Sequence, residues 1–131
     1  MTDNIAFHLV SPEKKLASID AKSVRIPGIE GDMTLLPSHA DFLTTLRPGI
    51  ISVESNTGIQ EYVVTGGFVE VSDSVATVLA EKAVVRTEAH NSLFETLIAD
   101  VEELSRNATD KEKARVDLRL NDLKSASNAL N

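Results

Sequence analysis

The sequence predicts a β + α protein. An N-terminal antiparallel β-sandwich over residues 1–82 is followed by a C-terminal antiparallel two-helix hairpin over residues 83–131. Up to residue 82, apolar residues occur in short alternating runs separated by turn residues, which is typical of strands. Beyond residue 82 there is no glycine or proline, and apolar residues recur at helical intervals.

The strand signals are short apolar runs, the first three of which alternate with other residues. The clearest runs are Ile5, Phe7 and Leu9; Val24 and Ile26; Ile51 and Val53; Tyr62 to Val64; Phe68 to Val71; and Val75 to Leu79. Turn signals between them are Ser11-Pro12, Pro27-Gly28, Pro48-Gly49, Asn56-Thr57-Gly58, Gly66-Gly67 and Ser72-Asp73-Ser74. Because this part contains no helix long enough for a βαβ crossover, we expect antiparallel pairing in a sandwich.

Two helices are predicted after residue 82. Their apolar stripes are Leu93, Leu97, Val101 and Leu104 in the first helix and Val116, Leu120 and Leu123 in the second. Ser92 with Glu95, and Thr109 with Glu112, have the spacing of capping boxes at the two starts. The connection over residues 106–108 is short, so the helices should lie antiparallel.

Composition excludes several classes of protein. Hydrophobic residues make up 42% of the chain but aromatic residues only 4%, which predicts an aliphatic core. The absence of cysteine excludes disulfides and thiolate zinc sites. A net charge of −7 argues against general binding to a nucleic-acid backbone. No apolar run reaches the ~20 residues of a membrane span, and we expect no signal peptide.

Ser38, His39 and Asp41 raise the question of a catalytic triad. Neighbouring side chains in a turning chain point in different directions, so these groups are not expected to converge on one another. A metal site made of Asp32, His39 and Asp41 has no recognised ligand spacing. The glycine pair at residues 66–67 lies between two predicted strands, which indicates a turn and not a phosphate-binding loop. We therefore predict no catalytic, metal or cofactor site.

The segment over residues 28–49 is better explained as a long surface loop, with turns fixed by glycine and proline, than as a catalytic or metal site. Its structural turn residues are expected to be Gly28, Pro37, Pro48 and Gly49, and Gly66 and Gly67 have the same role further on. Between the first turns lie the acidic residues Glu30 and Asp32. A punctuated loop on a rigid scaffold is a common place for partner contacts. From the residues alone, the chain is an interaction module, and a free-standing sandwich that binds a ligand or dimerises remains an alternative.

Two segments carry a resemblance to a known family. The first reads GIEGD…LPSHA…LRPG over residues 28–49, and the second reads GGFVEV…VATVLAE over residues 66–81. In order and spacing they closely resemble the epsilon subunit of F-type ATP synthases, whose mitochondrial homologue is called delta. The resemblance covers most of residues 1–82.

The resemblance implies a function in the central stalk. The family's sandwich binds the gamma subunit and sits on the ring of c subunits, so that ion-driven rotation reaches the catalytic head; it catalyses nothing itself. The implied contact loop contains Glu30, Gly31, Asp32 and His39, although His39 could instead brace the loop. Without a transit peptide, we expect a peripheral subunit on the cytoplasmic side of a bacterial inner membrane.

The helical hairpin is implied to be regulatory. In the family it can extend along gamma and inhibit ATP hydrolysis by touching an acidic segment of the beta subunit. Some relatives bind ATP there through an Ile/Leu-Asp-x-x-Arg-Ala motif, which residues 83–90 lack. Lys111, Arg115 and Arg119, spaced at i, i+4 and i+8, are a candidate contact with the catalytic head, and a solvated helix face is the alternative.

Overall fold

The computed structural model describes residues 4–38, 40–88 and 92–129. The chain divides into two compact units, residues 1–87 and residues 88–131. The sequence predicted the division at residue 82, one strand earlier. Residues Ala83–Val85 form a tenth strand, which pairs antiparallel with the strand Gly58–Val64. Residues 83–85 therefore belong to the β unit, because they are hydrogen-bonded to one of its strands. The sequence did not show this, since no glycine or proline follows them to mark the end of a strand.

In the described residues of the first unit there are ten strands and a short 3-10 helix at Arg86–Glu88. The strands are β1 (Ile5–Val10), β2 (Lys15–Ala21), β3 (Ser23–Gly28), β4 (Gly31–Leu35), β5 (Phe42–Leu46), β6 (Gly49–Ser55), β7 (Gly58–Val64), β8 (Gly67–Ser72), β9 (Val75–Ala80) and β10 (Ala83–Val85). Their spatial order is β10-β7-β6-β3-β5-β8-β9-β1-β2, and β4 pairs with β3.

The strands form the two layers of the predicted sandwich. The pairing of β3 with β5 that joins the layers is short and is recorded only at Gly28 and Leu46. All but one of the recorded pairs are antiparallel, and the predicted antiparallel β-sandwich is confirmed. The exception is β1 with β9, which run parallel from the pair Ala6 and Val75 to the pair Val10 and Leu79. These strands are far apart in sequence, so no tight turn imposes an antiparallel direction on them.

The core lies between the layers and consists of the inward side chains of the alternating runs. Ile5, Phe7 and Leu9 on β1 are fully buried, as their alternation predicts. The core is mainly aliphatic, and the rings of Phe7 and Tyr62 meet with their centroids 6.2 Å apart. Because close-packed apolar side chains enclose this interior, the sandwich is a rigid support for its surface loops.

The second unit is a hairpin of two helices, α1 (Ser92–Asn107) and α2 (Asp110–Ala129). Ser105 Oγ donates a hydrogen bond of 2.7 Å to Asp117 Oδ1, and Lys124 Nζ lies 3.7 Å from Glu102 Oε1. The residue closer to the end of α1, Ser105, pairs with the residue closer to the start of α2, so the helices are antiparallel and the predicted hairpin is confirmed.

The connection between the helices is Ala108-Thr109, not residues 106–108 as predicted, because Arg106 and Asn107 complete the last turn of α1. The start of α2 after Thr109 is as the sequence predicts. The Thr109 carbonyl accepts hydrogen bonds from the N–H groups of Glu112 and Lys113, at 3.0 and 2.9 Å. Thr109 therefore occupies the N-cap position, where the residue is not helical but its carbonyl accepts the first bonds of the helix.

The buried face of α1 differs from the predicted stripe. Phe94 and Val101 are buried, whereas Leu104, predicted to share the face of Val101, is exposed. Phe94 is a large side chain seven residues before Val101, two helical turns away, and it defines a face that Leu104 does not share. In α2, Leu123 is buried as predicted, together with Ala126.

Candidate docking surfaces

The hairpin of β3 and β4 presents Glu30 at its tip. Gly28 pairs with Gly31, and Ile29 and Glu30 form the two-residue turn between them. Gly31 has a φ of 139°, a backbone conformation that L side chains rarely adopt. A Cβ on Gly28 would lie 2.7 Å from the carbonyl oxygen of Gly31. Glycine is therefore required at both ends of this turn. Glu30 lies exposed within the turn.

Asp32 lies one residue beyond the turn, and its environment is very different from that of Glu30. Its Oδ2 is 3.1 Å from Arg25 Nη2, and its Oδ1 is paired with Arg47 Nη2. The sequence had suggested two equivalent exposed acids. Across the described residues Glu30 makes no ion pair, whereas two guanidinium groups compensate the charge of Asp32.

Backbone contacts fasten this hairpin to the connection between β5 and β6. The N–H of Ile29 donates to the carbonyl of Thr45 at 3.0 Å, and the N–H of Arg47 donates to the carbonyl of Pro27 at 3.0 Å. Gly49 is buried, and a Cβ there would lie 2.9 Å from Pro27 Cβ. The predicted turn residues Pro48 and Gly49 thus lie where two segments pass too closely for a larger residue at position 49.

Ser38 and Asp41 are both hydrogen-bonded to the turn between β8 and β9. Pro37 and Ser38 form a turn in which Ser38 has a φ of 64°. The Ser38 N–H donates to Ser74 Oγ at 2.9 Å, and the Asp73 N–H donates to Asp41 Oδ1 at 3.1 Å. His39 lies outside the described residues. Asp41 therefore holds the backbone of a distant turn, as a structural acid does.

Gly66 and Gly67 lie where the chain passes from β7 to β8, and so from one layer to the other. Gly67 has a φ of 142°, and a Cβ there would lie 2.1 Å from the carbonyl oxygen of Leu79. The neighbouring backbone is hydrogen-bonded within the sandwich, because the Gly66 carbonyl accepts from the Glu81 N–H at 3.0 Å. This geometry is that of two closely paired antiparallel strands, β8 and β9, not of a phosphate-binding loop.

An exposed apolar face on β5, β8 and β9 was not predicted from the sequence. Leu43, Phe68 and Leu79 are between 53% and 68% exposed. Phe68 on β8 lies directly opposite Leu79 on β9. Leu43 on β5 lies opposite Glu70, two residues from Phe68 on the same face of β8, so Leu43 and Phe68 are diagonal neighbours. The available signal was the presence of apolar residues at outward positions of these strands, where alternation normally places polar side chains. The exposed Glu70 and Thr45 lie opposite Leu43 and Phe68, so the three apolar side chains form a face with polar residues beside them. Exposed apolar side chains grouped in this way are typical of an interaction surface.

The basic residues of α2 do not form a uniform stripe. Lys111 and Arg115 are exposed, whereas Arg119 is half-buried and already has an interaction partner within the chain. Lys111 also lies in the first turn, beside the positive end of the helix dipole. The two exposed cations, four residues apart on one helix face, are the part of the stripe that remains available to an acidic partner.

The residues that the structure describes contain no cluster of three or more potential metal ligands. No helix in the described ranges is long and apolar enough to cross a membrane. Shallow clefts border Ile59 and Gln60 on β7, with volumes of about 380 and 260 Å³. A rigid sandwich with an exposed apolar face and a charged hairpin tip is the construction of a protein that binds other proteins.

Comparisons with known proteins identify the family. Residues 4–86 match the model described as ATP synthase, Delta/Epsilon chain, beta-sandwich domain. The ATP synthase epsilon chain of Fuscovulum blasticum is 48% identical over 121 residues, covering 90% of this chain and 93% of the relative. That of Rhodobacter capsulatus is 47% identical over 105 residues, covering 80% of each chain.

The fold is also found in solved structures of mitochondrial ATP synthases. A chain from the Euglena gracilis OSCP/F1/c-ring structure has a TM-score of 0.74 at 23% identity, covering 98% of this chain and 82% of that one. A chain from the Tetrahymena thermophila central stalk/c-ring structure has a TM-score of 0.65 at 19% identity, covering 95% and 96%. This chain belongs to the ATP synthase delta/epsilon family. The alternative of a free-standing ligand-binding module is not favoured.

Proposed function

We propose that this chain couples the rotation of the c-ring to the catalytic head by binding gamma and the c-ring through separate surfaces of its sandwich. The observation that supports this most strongly is the exposed apolar face of Leu43, Phe68 and Leu79 on a rigid β layer. Permanent contacts between subunits are more apolar than transient ones. We therefore assign this face to the gamma subunit.

The c-ring is the proposed partner of the hairpin between β3 and β4. Glu30 stands exposed at the tip, and Gly31 gives the turn its shape. A carboxylate at an exposed tip suits a cationic or polar loop of the partner, and such a contact gives orientation more than affinity. His39 belongs to the same proposed surface through the family resemblance alone.

The proposed location is the cytoplasmic side of a bacterial inner membrane, where the chain is held peripherally by the complex. The epsilon chains that it is similar to include that of the bacterium Rhodobacter capsulatus. Membrane attachment then requires only the partner subunits.

Regulation of ATP hydrolysis is the proposed role of the helical hairpin. Lys111 and Arg115 are exposed cations on α2, and their mutual repulsion would be relieved beside an acidic segment of the beta subunit. Residues 83–90 lack the acid-x-x-arginine arrangement that some relatives use for ATP. We accordingly propose no nucleotide site on this chain.

The coupling function is tested in bacterial membranes in which this chain is the only source of the subunit. With the chain present, ATP-driven ion pumping should occur, and the chain should co-purify with the gamma subunit and the c-ring. When the chain is depleted, pumping should fall while hydrolysis by the detached head persists. Full pumping in depleted membranes would contradict the proposal.

A further inference from the structure

Asp32 connects three segments of the chain through its two carboxylate oxygens. Arg25 lies on β3, Asp32 on β4, and Arg47 in the connection between β5 and β6. Asp32 is paired with both arginines, each through a different carboxylate oxygen. A carboxylate shared in this way restrains the relative positions of the segments that carry its partners.

These ion pairs lie at the seam where the two layers of the sandwich meet. The recorded pairing of β3 with β5 is at Gly28 and Leu46. It is flanked by the hydrogen bonds from Ile29 to Thr45 and from Arg47 to Pro27. Because so few backbone contacts join the strands there, side-chain ion pairs contribute a larger share of what holds the hairpin in place.

The charges at the two acidic residues differ in sign once their neighbours are included. Asp32 with Arg25 and Arg47 sums to one net positive charge, and the Arg25 side chain is 64% exposed against 45% for Asp32. A cationic loop that approached at Asp32 would meet an exposed guanidinium. The same loop that approached at Glu30 would meet an uncompensated carboxylate.

We propose that Asp32 is a positioning residue, which holds the hairpin of β3 and β4 against the β5–β6 connection, and that Glu30 alone provides the recognising carboxylate. The role of Glu30 rests on the c-ring contact proposed above, whereas the role of Asp32 does not. The two acids, adjacent in the sequence to Gly31, thus have different tasks.

The positioning role is tested on the purified full-length chain by amide hydrogen exchange. Asp32→Asn should speed exchange at the Ile29 and Arg47 amides by roughly 2- to 30-fold, the range expected when two exposed ion pairs are lost. Glu30→Gln, which changes the same charge two residues away, is the matched control and should leave both amides unchanged. Local exchange separates this effect from a general loss of stability.

A double-mutant cycle shows whether the effect passes through the arginines. Arg25→Gln alone should speed exchange at Ile29, but it should add little in the Asp32→Asn background, because the pair is already broken. Unchanged exchange in Asp32→Asn, or full additivity with Arg25→Gln, would overturn the positioning role.

The recognition role is tested in the assembled complex by ATP-driven pumping. Glu30→Gln should lower pumping at unchanged exchange, whereas Asp32→Asn should lower pumping only together with faster exchange. If Asp32→Asn lowers pumping at unchanged exchange, the division of tasks is wrong. If exchange responds as expected and neither variant changes pumping, Asp32 keeps its positioning role and the c-ring contact is the proposal that fails.

Discussion

Asp41 Oδ1 accepts a hydrogen bond of 3.1 Å from the backbone N–H of Asp73, and so joins two loops that are 32 residues apart in sequence. Ser38 completes the connection by donating its backbone N–H to Ser74 Oγ at 2.9 Å. Asp73 and Ser74 have φ values of 51° and 61°, the left-handed pair that a two-residue hairpin turn needs. The connection fixes the loop that leads into β5, the first strand of the apolar face.

Replacement of Asp41 by alanine should lower the free energy of unfolding by about 0.5–1.5 kcal/mol, because the Asp73 N–H loses a charged acceptor and is left to water. Urea denaturation measures this change. Asp20→Ala removes another exposed acid, one that makes no ion pair or side-chain hydrogen bond with the described residues, and it should have almost no effect. Equal losses in the two variants would mean that the connection does not stabilise the loop.

Charges on the apolar face should abolish gamma binding without unfolding the sandwich. Leu43→Glu combined with Phe68→Glu places two carboxylates on outward positions, and exposed substitutions change stability by only about 0.5 kcal/mol each. Binding to purified gamma should weaken by at least 100-fold, the effect of desolvating charges in an apolar contact.

Ile59→Glu is the control for that experiment, because Ile59 is also 68% exposed but lies on β7 of the other layer. It should leave gamma binding unchanged. If the control weakened binding as much as the double variant, the contact would not be confined to the face of β5, β8 and β9.

The sequence predicts those features of the fold that depend on local pattern. Alternation in Ile5, Phe7 and Leu9 places their side chains in the core, because successive side chains of a strand point to opposite faces. The parallel pairing of β1 with β9 is not predictable in this way, since it depends on which distant strands meet. The same limit explains why the boundary at residue 82 missed β10, whose strand character comes from pairing with β7.

The candidate surfaces could be predicted from the sequence only where they depend on a single local segment. The glycines and prolines of residues 28–49 indicated turns with Glu30 exposed between them, and the structure has a turn at Ile29 and Glu30. The interpretation of the whole segment as one long loop was wrong, because it contains β4 and β5, whose strand character comes from pairing with β3 and β8. The two arginines that compensate Asp32 come from positions 25 and 47, and no local signal connects them to it. Conclusions that depend on one segment can therefore be drawn from the sequence, whereas charge compensation between segments needs the fold.

A chain that ends at Thr87 should fold on its own, because the first unit encloses its own core and retains β10. A chain that ends at Glu81 lacks β10 and the Lys82 carbonyl that accepts from the Thr65 N–H. It exposes β7 as an unprotected edge, a common cause of aggregation. Calorimetry should show a cooperative transition for the longer fragment and a lower melting temperature or aggregation for the shorter one. Identical transitions would show that β10 contributes nothing.

Tyr62 provides a stability change at high pH with a definite sign. Burial raises the pKa of its phenol above the ordinary value of 10.0, because the charged form is poorly solvated inside the protein. In the unfolded chain the phenol ionises at about pH 10, whereas the folded protein retains its proton. The stabilisation is therefore complete below pH 10 and is lost as pH rises through the raised value.

Absorbance of tyrosinate measures this pKa without ambiguity, because Tyr62 is the only tyrosine of the chain. In Tyr62→Phe, the part of the alkaline loss of stability that belongs to the phenol should disappear. A midpoint at or below 10.0 in the folded protein would contradict the burial argument.

Lys111 and Arg115 should make inhibition of ATP hydrolysis sensitive to salt, if the hairpin contacts the catalytic head as proposed. Each exposed pair with an acidic partner is worth about 0.2–1 kcal/mol and is screened at high ionic strength. Lys111→Ala combined with Arg115→Ala should raise hydrolysis by the complex by roughly 2- to 30-fold at low salt, with the difference vanishing at high salt. Lys113→Ala is the matched control, since Lys113 is also exposed but points to another side of α2. Rates that match those of the unaltered complex at every salt concentration would leave the two cations as part of a solvated helix face.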